Sequence, residues 1–227
     1  MSKLERSSLD FLEDLRKNNN RDWFAENKSV YIEERENVIS FADELLKNMN
    51  KHDQIENISG EKCLLRIYRD VRFSKNKVPY KSHWGLSFRR ATELLRGGYY
   101  LHIEPGNSFI GGGFWGPEPK DLKRIRTQFT LFGDEFQTIL NDKTFINTFG
   151  KMRGEQLKNG PKGFDKEDPH IDLLKYKQYL ISKTFTDKEI LSPDFVKTAN
   201  DTFKKMRPFM NFMSEALTTN TNGESLF

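Results

Sequence analysis

The hydrophobic period of the chain changes twice, and this change constrains the fold more than any other feature. Apolar residues recur at helical spacing over residues 31–49. In the middle of the chain, as over residues 99–104, they alternate with polar residues, which is the pattern of a strand with one buried face. Helical spacing returns after Pro193. Strands grouped between helices predict an α+β fold, with a mostly antiparallel central sheet covered by N- and C-terminal helices.

Local signals divide this pattern into elements. Ser7 or Ser8 is predicted to cap a short first helix, and Asn20 a second, longer one that reaches Met49. Pro105 and Gly106 occupy the central positions of a predicted type II turn between two strands. The predicted strands cover residues 64–72, 83–89, 99–104, 108–115 and 179–185, and further helices cover 121–132, 135–140, 144–149 and 193–217, with a kink at Pro208. Because no linker or repeat interrupts the chain, we predict a single domain over residues 1–227.

Positive charge is concentrated in one stretch. Residues 62–96 contain ten basic and two acidic residues, which gives +8, while the rest of the chain contains 27 basic and 31 acidic residues, which gives −4. The formal excess of +4 therefore comes entirely from this stretch.

Composition limits the setting of the protein. The only cysteine, Cys63, excludes an intrachain disulfide and a thiolate metal cage. No run of about 18 apolar residues predicts a membrane span, and residues 1–15 contain no apolar h-region of the kind a signal peptide has. We therefore expect a cytoplasmic protein with no membrane partner. The sequence leaves the oligomeric state open.

The basic stretch contains the motif RIYRDVRFSKNKVPY, residues 66–80. This motif, together with FLEDLRKNNNRDWFAENK near the N-terminus, GGYYLHIEPG and GGGFW in the middle, and PKGF followed by DLLKYK, resembles the mainly bacterial family known as domain of unknown function 2461, whose pattern is RxxRDxRFxxxKxxY. The resemblance extends over nearly the whole chain and implies no particular reaction, so catalysis and cofactors stay unknown.

The chemistry of the motif points to an anion. The planar guanidinium group binds carboxylate or phosphate through two hydrogen bonds at once, which lysine cannot do. Arginines spaced three residues apart, followed by lysines and a tyrosine beyond a proline turn, predict a pocket for a small phosphate- or carboxylate-bearing ligand. The predicted ligand-binding residues are Arg66, Arg69, Arg72, Lys77, Tyr80 and Lys81. Asp70 is the candidate general acid or base if the protein is an enzyme.

Other readings stay open at this level. The same cations, with Tyr68, Phe73, Tyr80 and Trp84 as stacking surfaces, fit a nucleic-acid-binding protein. In an interaction module, the motif would only shape a loop through internal ion pairs.

Two further patterns receive no functional assignment. His83, His102 and Glu104 could share a sheet face, but they lack the spacing of a metal motif, so no metal is predicted. Residues 111–116 match GxGxxG but follow a predicted hairpin instead of opening a βαβ unit, so no dinucleotide is predicted.

Overall fold

A computed structural model describes residues 2–226. Within this part of the chain, the helices are α1 (Arg6–Lys17), α2 (Arg21–Glu26), α3 (Lys28–Met49), α4 (Gly60–Cys63), α5 (Pro119–Asn141), α6 (Lys143–Phe149), α7 (Ile171–Leu174), α8 (Asp187–Ile190), α9 (Phe195–Lys205) and α10 (Arg207–Thr218). The strands are β1 (Trp84–Arg89), β2 (Gly98–Ile103), β3 (Ser108–Phe114) and β4 (Tyr179–Phe185). They form one antiparallel sheet in the order β1-β2-β3-β4, and the predicted α+β class is confirmed. None of the described helices combines the length and apolar character needed to cross a membrane.

The four strands lie where the period-two alternation predicts them. The turn between β2 and β3 is also confirmed, since the amide of Asn107 donates to the carbonyl of Glu104 at 2.9 Å. Gly106 has φ 74°, which the third position of a type II turn requires. Pro105 and Gly106 therefore set the hairpin that places the ends of β2 and β3 side by side.

Two N-terminal predictions need correction. Helix α1 begins at Arg6 with Glu5 as its N-cap, and the predicted cap Ser8 lies in the core, where its hydroxyl accepts the indole N–H of Trp84 at 3.1 Å. Asn20 does cap a helix by accepting the amide of Trp23, but that helix ends at Glu26. A new helix, α3, starts after Asn27.

The predicted strand over residues 64–72 is also wrong. Only isolated antiparallel bridges occur there, at Leu64 and Tyr68. In the C-terminal half, the two helices predicted before residue 141 are one element, α5, with non-helical geometry at Phe132 (φ −128°, ψ 25°). The last predicted helix divides into α9 and α10 at Met206, two residues before the expected kink at Pro208.

The chain contributes to two compact units. The first comprises the described residues up to Phe88, together with Tyr100–Ile110 and Thr184–Asp201. In its core, Trp84 of β1 is stacked on Phe11 of α1, with ring centroids 6.0 Å apart, and Tyr31 of α3 lies 5.8 Å from the same indole. These rings cover one face of β1, so the residues that alternate with Trp84 project from its other face.

The second unit comprises Arg89–Tyr99, Gly111–Lys183 and the described residues from Thr202 onward. Its core is aromatic, with Phe136 4.7 Å from Phe129 and 4.8 Å from Phe212 between ring centroids. The glycines of β3 serve packing here. A Cβ atom on Gly113, whose φ is 128°, would lie 2.1 Å from the carbonyl oxygen of Tyr179. The number of independently folding domains stays a prediction.

Candidate functional site

The basic motif forms an irregular antiparallel hairpin over residues 64–86, called the basic hairpin below. The amide of Leu65 donates to the carbonyl of Gly85 at 2.8 Å, and the amide of Arg69 donates to the carbonyl of Pro79 at 2.9 Å. Residues 70–78 form its tip. The hairpin thus joins the strongly charged tip directly to the start of β1.

A bulge interrupts the pairing of this hairpin. The amide of Lys81 donates to the carbonyl of Ile67, and the next pair joins Leu65 to Gly85. One residue, Arg66, therefore faces three residues, 82–84, on the opposite side. A bulge of this kind bends its strand and redirects side chains. It is the reason why the alternation over residues 64–72 does not produce a regular strand.

At the tip, two predicted site residues bind one another. The Asp70 carboxylate accepts from Arg72 Nε at 3.0 Å and from Nη2 at 2.6 Å, and the Arg72 amide donates to the same carboxylate. These hydrogen bonds, the side-chain ones first, lower the pKa of Asp70. Both side chains are exposed, and Lys77 Nζ donates to the carbonyl of Val71 at 2.8 Å. Asp70 therefore stays ionised at neutral pH and is poorly suited to donate a proton.

Tyr80 packs into the core of the first unit. Its ring is stacked on Phe24 at 4.0 Å between centroids and is 6% exposed, and burial raises its pKa. Asn19 fixes the backbone of Tyr80, accepting its amide at 3.1 Å and donating to its carbonyl at 3.0 Å. Trp84 is 1% exposed. Both rings therefore hold the hairpin in place.

The remaining predicted cations are differently placed. Arg66 is exposed and Arg69 half-buried, and within residues 2–226 neither guanidinium group forms an ion pair or a side-chain hydrogen bond. Lys81 Nζ donates to the carbonyl of Arg66 at 2.8 Å. Burial lowers the pKa of Lys81, and the charge of Arg66 lowers it further. Lys81 and Arg66 thus lie close together at the base of the hairpin.

The polar face of β2 carries a hydrogen-bonded chain of three side chains, called the Tyr-His-Glu chain. Tyr100 Oη lies 3.0 Å from His102 Nδ1, and His102 Nε2 lies 3.1 Å from Glu104 Oε2. Asn107 Nδ2 also donates to Glu104 Oε2, at 2.8 Å. Burial raises the pKa of Glu104, but the hydrogen bonds from Asn107 and His102 outweigh it, so the pKa is lowered.

The protonation of this chain follows from its acceptor. An ionised Glu104 only accepts, so His102 Nε2 carries a proton and, in the neutral ring, Nδ1 is an acceptor. Tyr100 must then donate its hydroxyl proton to Nδ1. Burial, followed by the charge of Glu104, raises the pKa of Tyr100 to about 12, so the hydroxyl keeps its proton at neutral pH. Both nitrogens of His102 are consequently occupied.

The bulge brings a second histidine against this chain. The ring of His83 lies 4.2 Å from that of His102 between centroids, and Phe109 is stacked on the other ring at 4.8 Å. The pKa of His83 is lowered to about 4, first by burial and then by the charges of neighbours that include His102, Lys81 and Arg69. Within residues 2–226 the nitrogens of His83 make no hydrogen bond. The neutral ring therefore offers an unoccupied lone pair near two cations.

Sequence reasoning found the polar face and grouped His83 with His102 and Glu104 on it, but it assigned these residues no function. The alternation of Tyr100, His102 and Glu104 indicates one face of β2, and the structure brings these side chains together. His83 lies at the hairpin bulge, which the local sequence does not signal. Among the described residues, no group of three histidine, cysteine, aspartate or glutamate side chains is arranged to hold a metal ion.

Fold and site together define a class: an α+β protein with a four-stranded antiparallel sheet, a basic hairpin leading into β1 and two contacting histidines beside it. A family model matches residues 7–212, and the chain belongs to that family, described as conserved hypothetical protein DUF2461. The resemblance predicted from the sequence is thereby confirmed. Comparisons with curated proteins and with solved structures gave no significant match. The matched range includes the basic hairpin and the Tyr-His-Glu chain.

Proposed function

We propose that this protein binds a small anionic ligand, bearing phosphate or carboxylate, at the base of the basic hairpin. Arg66 and Arg69 are the principal donors, and Lys81 supplies a third cation. The observation that supports this most directly is that neither guanidinium group forms an ion pair or a hydrogen bond with a carboxylate within residues 2–226, although the charge of Arg66 acts on Asp70.

The energetic argument concerns charge. Burial lowers the pKa of Lys81 most, and the repulsion between Lys81 and Arg66 lowers it further. An oxyanion bound between them would relieve it, and charge-assisted hydrogen bonds contribute roughly 1.5–3 kcal/mol each. The concentration of +8 over residues 62–96 adds a long-range attraction for anions.

The other predicted contacts take smaller parts in this proposal. Arg72 gives two of its donors to Asp70, and Lys77 gives at least one to a backbone carbonyl, so each has fewer donors left for a ligand. Tyr80 supports the hairpin from the core. The proposal also includes a cytoplasmic location, because the sequence has a single cysteine, Cys63, and no long apolar segment.

Nucleic-acid binding is the second candidate, and two exposed aromatic rings of the basic hairpin favour it. Phe73 is 95% exposed and Tyr68 is 52% exposed, so both rings can stack on bases. Tyr80 and Trp84, the other two rings of that hypothesis, are buried and unable to do so. Half of the expected stacking surface is therefore unavailable, which favours the small ligand.

Isothermal titration calorimetry with inorganic phosphate and with citrate tests the leading proposal. We expect Arg66→Gln and Arg69→Gln each to weaken binding by about tenfold or more, which corresponds to about 1.4 kcal/mol. Arg72→Gln should weaken it less, by about threefold. Lys75→Gln removes an exposed cation from the tip and is the matched control, with expected binding equal to wild type.

Three results would contradict the proposal. Wild-type protein that binds neither probe would favour an interaction module. Loss of binding in Lys75→Gln as large as in Arg69→Gln would indicate attraction by net charge alone. Single-stranded oligonucleotide affinity that falls steeply with salt and depends on Phe73 and Tyr68 would favour nucleic-acid binding instead.

A further inference from the structure

The position of His83 beside two cations points to a catalytic role as well as ligand binding. His83 lies where the hairpin bulge meets β1, with its ring against that of His102. Arg69 and Lys81 are close enough to act electrostatically on it. An anion bound by these cations would therefore lie next to an imidazole whose nitrogens make no hydrogen bond within residues 2–226.

We propose that His83 is a nucleophile that accepts a phosphoryl group from the ligand held by Arg69 and Lys81. This inference rests on the proposed anion site and names its substrate class as phosphate esters or related phosphoryl donors. The Arg69 guanidinium group and the Lys81 ammonium group would neutralise the charge on the phosphoryl oxygens, which otherwise repels a nucleophile.

The reaction balances without a further cofactor. A lone pair of the neutral His83 ring forms a bond to phosphorus while the bond from phosphorus to the leaving oxygen breaks, and the leaving oxygen takes a proton from solvent. Water then attacks the phosphohistidine, the bond between nitrogen and phosphorus breaks, and phosphate leaves. The net reaction consumes one water and releases an alcohol and phosphate.

The neighbouring polar groups are less suited to this role. Both nitrogens of His102 are engaged by Tyr100 and Glu104, so its lone pair is occupied. Tyr100 donates its proton within the chain and has a raised pKa, which disfavours the phenolate. We assign His102 as a positioning residue, because its two hydrogen bonds fix the ring on which His83 packs.

Incubation with phosphoramidate, a small phosphoryl donor, tests the assignment without knowledge of the natural substrate. His83 would attack the phosphorus of phosphoramidate, and the nitrogen, which takes a proton from solvent, would leave as ammonia. We expect mass spectrometry of the wild-type protein to find one acid-labile phosphoryl group on His83. His83→Asn should abolish this modification, Arg69→Gln should slow it at least tenfold, and Lys75→Gln should leave its rate unchanged.

His52 provides an internal control outside the hairpin, because its Nε2 is hydrogen-bonded to Asn200 at 3.0 Å and its Nδ1, which makes no hydrogen bond within the described residues, is buried away from solvent. Equal modification of His52 and His83, or a rate at His83 that Arg69→Gln does not change, would overturn the assignment. Calorimetry with phosphate on the same samples separates the two proposals. Phosphate binding without modification of His83 would overturn the nucleophile alone, whereas failure of binding would remove the anion site and the nucleophile together.

Discussion

A missing side chain at residue 85 makes room for the Tyr-His-Glu chain. A Cβ atom on Gly85 would lie 2.8 Å from Tyr100 Oη and 3.3 Å from Leu65 Cδ1. The first distance is shorter than ordinary van der Waals contact, and the hydroxyl is fixed by its hydrogen bond to His102. Glycine is unfavourable within a strand unless another group approaches closely, and Tyr100 is that group here.

Gly85→Ala is therefore expected to destabilise the protein by about 1–3 kcal/mol, the usual cost of overpacking a well-filled site. Urea denaturation measures this change. Gly116→Ala is the matched control, since a Cβ atom there would meet nothing within 4 Å and no positive φ occurs. If the two variants unfold at the same urea concentration, Tyr100 can move aside and the proposed restriction at Gly85 is wrong.

At the scale of elements, predictions succeed where one local pattern determines the structure. The strands β1 to β4 follow from alternation, and the turn at Pro105 and Gly106 follows from the conformations that these two residues allow. The segment over residues 64–72 also alternates, yet its pairing with residues 79–86 contains a bulge. Pairing register depends on the partner segment, so alternation in one segment could not reveal it. For the same reason, the sequence did not show that His83 lies at this bulge.

Helix α5 shows a second case in which a distant residue decides local structure. Its geometry is non-helical at Phe132, and at the next residue a Cβ atom on Gly133 would lie 2.3 Å from Cγ of His170. The His170 ring is buried, with Nδ1 3.3 Å from Gln137 Nε2 and Nε2 3.6 Å from Asp134 Oδ1. The glycine thus provides the space in which the imidazole packs.

Gly133→Ala should consequently destabilise the protein, by roughly 1–3 kcal/mol. This is opposite in sign to the usual effect, because alanine is favoured over glycine within a helix by about 1 kcal/mol. Thermal and urea denaturation of this variant, of His170→Ala and of the double variant form a double-mutant cycle. We expect Gly133→Ala to cost much less in the His170→Ala background. An equal cost in both backgrounds would show that the clash is not with His170.

At the scale of the whole molecule, charge is arranged unevenly along the chain. Residues 1–61 contain 9 basic and 14 acidic residues, which gives −5, and they precede the stretch that carries +8. The sequence predicted this concentration correctly, since counting charges requires no structure. It could not predict how the charges are used. Arg72 and Arg69 look equivalent in the motif, but Asp70 engages the former and no carboxylate within residues 2–226 engages the latter.

The dependence of global stability on pH tests the environment of His83 as a property of the folded molecule. His83 is faced by Arg69 and Lys81 from the hairpin and by His102 and Glu104 from β2 and the turn after it. Its pKa is about 4 in the folded protein and about 6.5 in an unfolded chain. Between these values the unfolded state binds more protons, so stability should fall as the pH is lowered from about 6.5 to about 4. A pKa difference of one between the folded and unfolded states corresponds to about 1.4 kcal/mol of stability. Solvent screening of the partly exposed ring reduces the expected loss of stability to roughly 1–2 kcal/mol.

His83→Asn should remove this part of the pH dependence. The lowered pKa of Glu104 adds a loss of stability in both proteins, and this loss begins near pH 4.5. The comparison is therefore made between pH 7.5 and pH 5 by urea denaturation. The difference in free energy of unfolding between wild type and variant at pH 7.5 serves as the reference, because His83 is neutral in both the folded and the unfolded state at that pH. Parallel curves for the two proteins over this range would mean that His83 is protonated equally well in the folded and unfolded chains, and its neutral lone pair would then not be available below pH 6.5.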